Sequence, residues 1–514
     1  MRATLSRCGD SPLVHVLAFA TFPVVFLWAQ NPSDQITLAT AARPLAVIWA
    51  SALVLFTFLR AVLRDRWRAG FVTSLLVVVF FSFGHVRNIV DPSGTGWKDP
   101  HLLILTGSLL LIGGFILAMR AGRHATRATR SLNVVAGVLL ALNVVSIVAG
   151  SERQLTPRET YALPGVNEDQ ARPSRDVYYL VFDRYANVQT LRELYGFDNE
   201  PFQEFLRSEG FFVADDSLAN YQKTPHSLAS SLNMNYLDEM AQSQGADSSD
   251  WTPVLASLNG SNVAAAFQEL GYRYEHVGSW WDPTRRDVTA DRFHDPGGVS
   301  EFSGVLLQTT MWPTLSPLLG IDATFEQRQY QRALFQFRTI ERIARDPAPT
   351  FTFVHFLLPH PPYVFDDDGR FLSPSDAEEM GDDRAYLGQL EYTNRRIREL
   401  VLDLLSGSDE SDPIIVIQSD EGPNPVAVDE DETHYDWTRA SNRDLGLKLR
   451  ILNAYYLPGP GELPYPTISP VNSFRLVFSR YFGADLPLLD DRTFVYKDAN
   501  HPYLFTDVTD RLRE

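Results

Sequence analysis

A single cysteine, Cys8, stands in a chain of 514 residues. No intramolecular disulfide can form, so a domain placed outside the cytoplasm must be held by its core alone, which the length allows. Cys8 precedes the first apolar run instead of following it, which excludes the usual lipid-anchored position. Basic residues are scarce after residue 150, with 32 Lys+Arg against 58 Asp+Glu, whereas the first 150 residues carry 13 against 5. So acidic an outer part repels a phosphate backbone and excludes nucleic acid as a partner. It also needs an anchor to stay beside an anionic bilayer. The acidic excess itself reads as a solvated surface. Repeats and low-complexity tracts are absent, which excludes solenoid and fibrous architectures.

Long apolar stretches are what the first 150 residues do contain. Five reach spanning length, at 12–30, 43–62, 70–90, 101–119 and 131–150, each close to the ~20 residues a bilayer core requires. Arg2 and Arg7 precede the first. Arg60, Arg64, Arg66 and Arg68 lie around the second connection, and Arg120, Arg123, Arg127 and Arg130 around the fourth. The alternate loops, 31–42 and 91–100, hold only Lys98. The basic loops belong to the cytoplasmic side, and five spans then put everything after residue 150 outside. A signal peptide ending at Ala18-Phe19-Ala20 is the alternative reading of the first span and leaves the remaining topology unchanged. His15 and His85 lie near span ends, where interfacial anchoring accounts for them.

Residues 151–175 are polar, carry three prolines and read as a linker. Beyond them, strand-like and helix-like patterns alternate. Asp176–Asp183, Tyr272–Val277, Phe351–Leu357, Ile414–Ile417 and Ile451–Leu457 read as strands. Leu191–Glu209, Asn262–Leu270, Arg384–Leu405 and Val471–Phe482 read as helices. Alternation of this kind predicts an α/β sheet covered on both faces, with ligands at the carboxyl ends of strands. Asp183, His360 and the pair Asp420-Glu421 fall at or just past such ends.

Three acids and a hydroxyl delivered by element ends can hold a hard divalent cation, with the hydroxyl as nucleophile. Asp183 taken alone reads as an N-cap or loop hydrogen-bond acceptor before it reads as a ligand. The adjacent pair Asp420-Glu421 repels itself unless a cation lies near. Thr224, before Pro225, reads as an N-cap with Pro at the first helical position. That role is compatible with nucleophilic attack, because a helix N-terminus favours both an alkoxide and a phosphate. Glu275–Trp281 with Arg285 offers an imidazole, an indole wall and a guanidinium to a phosphodiester head group, although an exposed aromatic loop explains it too. His355, on an apolar strand, reads as a satisfied core histidine. His360, between prolines, is the better general acid or phosphate contact. No role is assigned to His434 in its acidic loop.

At these residues the chain resembles the sulfatase-like branch of the alkaline phosphatase superfamily, and is most similar to membrane-anchored phosphoglycerol transferases of the lipoteichoic acid synthase type. The resembling elements are Val181-Phe182-Asp183, the Thr224 helix, Pro359-His360-Pro361-Pro362-Tyr363 and Gln418-Ser419-Asp420-Glu421-Gly422, with the membrane spans extending the likeness to the N-terminus. The resemblance implies an α/β/α sandwich behind five transmembrane helices: a membrane domain at 1–150, a linker at 151–175 and an extracytoplasmic catalytic domain at 176–514. It implies Thr224 as nucleophile with His360 as a further catalytic residue. Asp183, Thr224, Asp420 and Glu421 would be metal ligands, and His276, Trp281 and Arg285 would line the substrate site. Expected partners are a membrane lipid or a lipid-linked envelope substrate, with the protein integral to the plasma membrane. Where the family has Asp-His-Gly, this chain has Asp420-Glu421-Gly422. An acid there makes the site harder and favours Mn2+ or Mg2+, with Ca2+ and Zn2+ as alternatives. The same change leaves open a degenerate binding ectodomain. A sulfuric ester hydrolase would need Cys or Ser in a C/S-x-P-x-R setting, and neither that residue nor the Arg is present at Thr224.

Overall fold

The structure is a computed structural model that describes residues 11–30, 38–90, 107, 112–116, 120, 125–150, 161–166, 175–297, 301–316, 324–406 and 412–513. The chain divides into two compact units. The first comprises residues 1–154 and 299–324 and the second the remainder.

Among the described residues, the first unit contains four helices long and apolar enough to cross a membrane: α1 (Pro12–Gln30), α2 (Leu38–Leu63), α3 (Arg66–Val90) and α4 (Ala125–Gly150). The expected span at 101–119 lies largely outside the described residues. The turn from α2 to α3 is tight because Arg64 adopts a left-handed conformation and Asp65 Oδ1 accepts the amides of Trp67 and Arg68 at 2.8 and 3.2 Å. His15 is wholly buried and its Nδ1 is 2.7 Å from Ser74 Oγ, joining α1 to α3. The expected outer domain of 176–514 is also interrupted, since the helix Glu301–Gln308 and the turn Trp312–Leu315 belong to the first unit.

The second unit is built on a seven-stranded mixed sheet of order β2-β7-β6-β1-β5-β3-β4. The strands are β1 (Val177–Phe182), β2 (Phe212–Val213), β3 (Arg273–Val277), β4 (Arg292–His294), β5 (Thr350–Phe356), β6 (Ile414–Gln418) and β7 (Asn453–Tyr456). β1 lies at the centre, parallel to β5 and β6, while β7 runs antiparallel to β6. The period of two splits each central strand between two cores. Tyr179, Val181, Phe353 and Val416 face a core shared with α5 (Thr224–Asn233), whose Leu228 and Leu232 enter it. Leu180, Phe182, Val354 and Ile417 face the other, filled by Phe337 and Ile340 of α6 (Phe325–Ile343) and Leu390 and Ile397 of α7 (Asp382–Leu404). Phe474 and Phe478 of α8 (Pro470–Phe482) complete the first core. Burial on both faces explains why these strands read as unbroken apolar runs. A hairpin of β8 (Phe494–Tyr496) and β9 (Phe505–Asp507) follows α8. The expected helix 191–209 is two helices, Val188–Tyr195 and Glu200–Ser208. Gly196 caps the first at φ 64° and Pro201 opens the second.

Candidate active site

The parallel register of β1 and β5 sets Val181 beside His355, so Asp183 and His355 arrive at the same edge of the sheet. β6, on the other side of β1, delivers Asp420 two residues past its end. One ligand atom from each of Asp183, His355 and Asp420 lies within 4.8 Å of the others, and all three residues are buried. His355 Nε2 stands 3.8 Å from Asp183 Oδ2. Asp183 Oδ1, His355 Nε2 and both carboxylate oxygens of Asp420 are buried without a hydrogen-bond partner. Burial raises the Asp183 carboxyl and the charge of Glu421 raises it further. Burial likewise raises Asp420, helped by Asp183 and Glu421. Burial also pushes His355 down to about 3, which keeps its imidazole neutral. Two crowded carboxyls and a neutral imidazole with a bare nitrogen are what a divalent cation relieves, and the donor set fits one.

Second contacts aim these groups. His355 Nδ1 is 2.9 Å from Thr284 Oγ1, which leaves Nε2 as the nitrogen turned to Asp183. Thr284 is fixed in turn by Ser279 Oγ at 2.8 Å, and its carbonyl lies 2.9 Å from His276 Nε2. Ser419 Oγ accepts the Tyr185 amide at 3.0 Å and donates to the Glu421 carbonyl at 2.7 Å, tying the turn after β1 to the turn after β6.

Thr224 is 8% exposed and opens α5. The cap residue is Lys223, so Thr224 itself occupies the first helical position and its hydroxyl is not used for capping. That hydroxyl acts to lower the Asp420 carboxyl, against the burial that raises it. The residues around it are clamped by the β8–β9 hairpin. Gln222 Nε2 donates to the Tyr496 carbonyl at 3.1 Å, the Tyr496 amide donates to Gln222 Oε1 at 3.2 Å, and His226 Nε2 is 2.9 Å from the Pro502 carbonyl.

Glu421, expected among the metal ligands, lies outside the three-residue cluster. Its Oε1 accepts from Lys448 Nζ at 2.7 Å, with Arg184 Nε at 3.7 Å. Lys448 is wholly buried and also donates to the Gly422 carbonyl and to Asn424 Oδ1, at 3.2 and 2.5 Å. Gly422 is required here, because a Cβ would lie 2.1 Å from the Leu447 carbonyl oxygen. The left-handed conformation of Arg184, just past β1, turns its guanidinium to this acid.

The expected substrate-site residues divide. His276 has both ring nitrogens engaged, by the Thr284 carbonyl and by Tyr274 Oη at 3.1 Å. It supports His355 through Thr284 instead of presenting a free nitrogen. Arg285 pairs with Asp295 at 3.0 Å, which also holds Arg332 at 2.8 Å. Trp281 is half-buried and meets His355 edge to face, the ring centroids 6.0 Å apart. His360 is half-buried, its ring 6.0 Å from that of Trp280. Gln389 of α7 holds its loop by donating to the His360 carbonyl at 2.9 Å. Burial and the charges of Arg184 and Lys448 push the His360 imidazole well below its usual range. His355, Thr284 and Lys448 are functional candidates that sequence reasoning missed. A histidine one residue from the end of a strand bound for an acid cluster was the available signal for the first, and no local signal marks the other two.

The Sulfatase family model matches residues 194–446. No curated protein matches the chain. Among solved structures, the C-terminal periplasmic domain of EcEptC from Escherichia coli, in its complex with Zn, is 12% identical, covering 68% of this chain and 96% of that one with a TM-score of 0.47. The integral membrane protein lipooligosaccharide phosphoethanolamine transferase A (EptA) from Neisseria meningitidis is 12% identical over 93% of this chain and 96% of that one, with a TM-score of 0.40. The phosphonate monoester hydrolase of Agrobacterium radiobacter is 13% identical over 62% of this chain and 80% of that one, also with a TM-score of 0.40. The Sulfatase match thus spans Thr224, His355 and Asp420, the residues that the mixed α/β sheet and the start of α5 supply to the candidate site.

Proposed function

We propose that this protein is a membrane-anchored phosphoryl-group transferase or hydrolase, acting on a lipid head group or an envelope phosphodiester through Thr224. The observation that carries the reading is the cluster of three buried, mutually close ligand atoms of Asp183, His355 and Asp420, with the Thr224 hydroxyl at a helix N-terminus close enough to act on the Asp420 carboxyl. Asp183, His355 and Asp420 would hold a divalent ion, and that ion supplies Lewis-acid stabilisation of charge on the hydroxyl and the phosphoryl oxygens. An imidazole beside two carboxylates is a mixed N/O donor set, which suits Mn2+ or Zn2+ better than the all-oxygen set first expected.

The rest of the chemistry falls to the chain. Thr224 Oγ attacks phosphorus as its proton leaves toward Asp420. The new P–Oγ bond forms while the bond from phosphorus to the leaving alcohol oxygen breaks. Arg184, Lys223 and Lys448 bring cationic charge to the same region and balance the phosphate. His360 is neutral in the free protein, and a bound phosphate raises its basicity, so it gains a proton to give to the leaving oxygen only in the complex. Water or a second alcohol then attacks the phospho-threonine and restores the hydroxyl. The loop charges read the catalytic unit as extracytoplasmic, where lipid-linked donors are within reach.

The test is turnover of bis(p-nitrophenyl) phosphate by the full chain in detergent, stripped with chelator and reloaded with Mn2+, Zn2+ or Mg2+. Metal-dependent turnover that Thr224→Ala abolishes, with circular dichroism unchanged, is the expected result. Turnover of p-nitrophenyl sulfate in preference to the phosphodiester would replace this reading with sulfate-ester hydrolysis. No turnover under any of the ions would leave a binding ectodomain.

A further inference from the structure

The segment Glu301–Ser316 follows β4 and precedes α6 in sequence, yet it belongs to the unit that contains the apolar helices. Phe302 and Leu306, each 4% exposed, cluster with Val24 of α1 and Ala41 of α2, flanked by Trp28, Ile48 and Phe81. The backbone joins α3 directly. The Gly84 amide donates to the Thr309 carbonyl at 2.9 Å and the Met311 amide donates to the Phe80 carbonyl at 3.0 Å. A Cβ on Gly84 would sit 2.8 Å from the Thr309 backbone, so glycine is what permits the contact.

Three independent features point to lipid around this segment. Glu301 is its only ionisable residue in sixteen. Two of its five hydroxyls are spent on its own carbonyls, Thr309 Oγ1 on Leu306 O at 2.8 Å and Thr310 Oγ1 on Leu307 O at 2.6 Å, as side-chain polar groups tend to be in a bilayer. Finally, every helix position it meets lies toward one end of the bundle: the C-terminal parts of α1 and α3 and the N-terminal part of α2. These are the ends that the arginine-rich loops assign to the outside. At eight residues the helix Glu301–Gln308 is too short to span. Val305, 40% exposed, continues the apolar outer surface of the bundle.

We infer that residues 301–316 are a re-entrant segment embedded in the outer leaflet, with Val305 turned to lipid, which gives the acidic outer unit a second membrane attachment. The inference is independent of the catalytic reading. It is tested on the full chain with Cys8→Ser, carrying a nitroxide at Val305→Cys and reconstituted in phosphatidylcholine–phosphatidylglycerol vesicles. Collision with oxygen and with a water-soluble nickel chelate is read by power saturation. Labels at Val54→Cys in α2 and at Arg370→Cys, whose side chains are exposed in the first and second units respectively, are the lipid and water references. The expected result is that Val305 favours oxygen over nickel, as Val54 does. Nickel access equal to that of Arg370 overturns the inference, and so does shielding from both reagents, which means protein covers the face. Gly84→Val supplies a second reading: in a variant that keeps its helical signal, the Val305 label should shift toward nickel access, and an unchanged label contradicts the proposed seat.

Discussion

Each side chain at the candidate site takes its character from partners far away in sequence, and single substitutions separate those roles. Thr224→Ala removes the hydroxyl and should lower turnover by on the order of 10³-fold or more, while Thr224→Ser retains measurable activity. Thr284→Val keeps the shape but loses the contact to His355 Nδ1. Metal affinity should fall by about 10–100-fold, as for other partners behind a ligand, measured by competition with a chelating dye. Lys448 and Glu421 are both nearly inaccessible and directly paired. Lys448→Met strands a buried carboxylate and should cost about 3–5 kcal/mol in denaturant unfolding of the full chain. Adding Glu421→Gln should recover most of that loss, and no recovery would mean the pair is not the source. Asp183, Thr224 and Asp420 are legible in the sequence because apolar runs end at them or a proline marks a helix start. His355 is not legible that way: its strand is buried on both faces, and its partner Thr284 is 71 positions distant. The acid pair Asp420-Glu421 reads as two like ligands in the sequence, whereas in the structure Lys448 pairs with Glu421 Oε1 and leaves Oε2 buried without a partner.

At the level of elements, the loop after β4 is pinned to α6 by Asp295, which joins Arg332 to Arg285. Burial would raise the Asp295 carboxyl, but the two guanidinium groups hold it below its ordinary value. A carboxyl lowered on folding contributes stability above its unfolded pKa of about 3.9, and that contribution is lost as pH falls through the lower folded value. Asp295→Asn should therefore destabilise the protein at pH 7, and the gap to wild type should close below about pH 4 in thermal melts. A constant gap would contradict the linkage. The central strands and the long helix α7 are legible because their apolar periodicity is sustained. The hairpin β8–β9 is not, since its strands are three residues each, too short for an alternating pattern to register. Its importance lies in the clamp on Gln222 and His226, which fixes the start of α5 and with it Thr224.

For the whole molecule, charge and hydropathy divide the chain near residue 150, and that division is plain in the sequence. The return of 301–316 to the apolar helices is not, because a short apolar stretch inside an α/β domain reads as core. The orientation read from the arginine-rich loops has its own test in intact cells lacking Cys8. Arg370→Cys should react with a membrane-impermeant maleimide, and Arg64→Cys only after permeabilisation; the reverse pattern would invert the topology. The central claim is that a threonine becomes covalently phosphorylated beside a cluster of two aspartates and a histidine. Its most direct test is peptide mass spectrometry of the metal-loaded full chain, quenched with acid during turnover of bis(p-nitrophenyl) phosphate. The account predicts a p-nitrophenyl phosphoryl adduct on Thr224 that is absent from Asp420→Asn. Turnover with an unmodified Thr224, or an adduct on another residue, would contradict it.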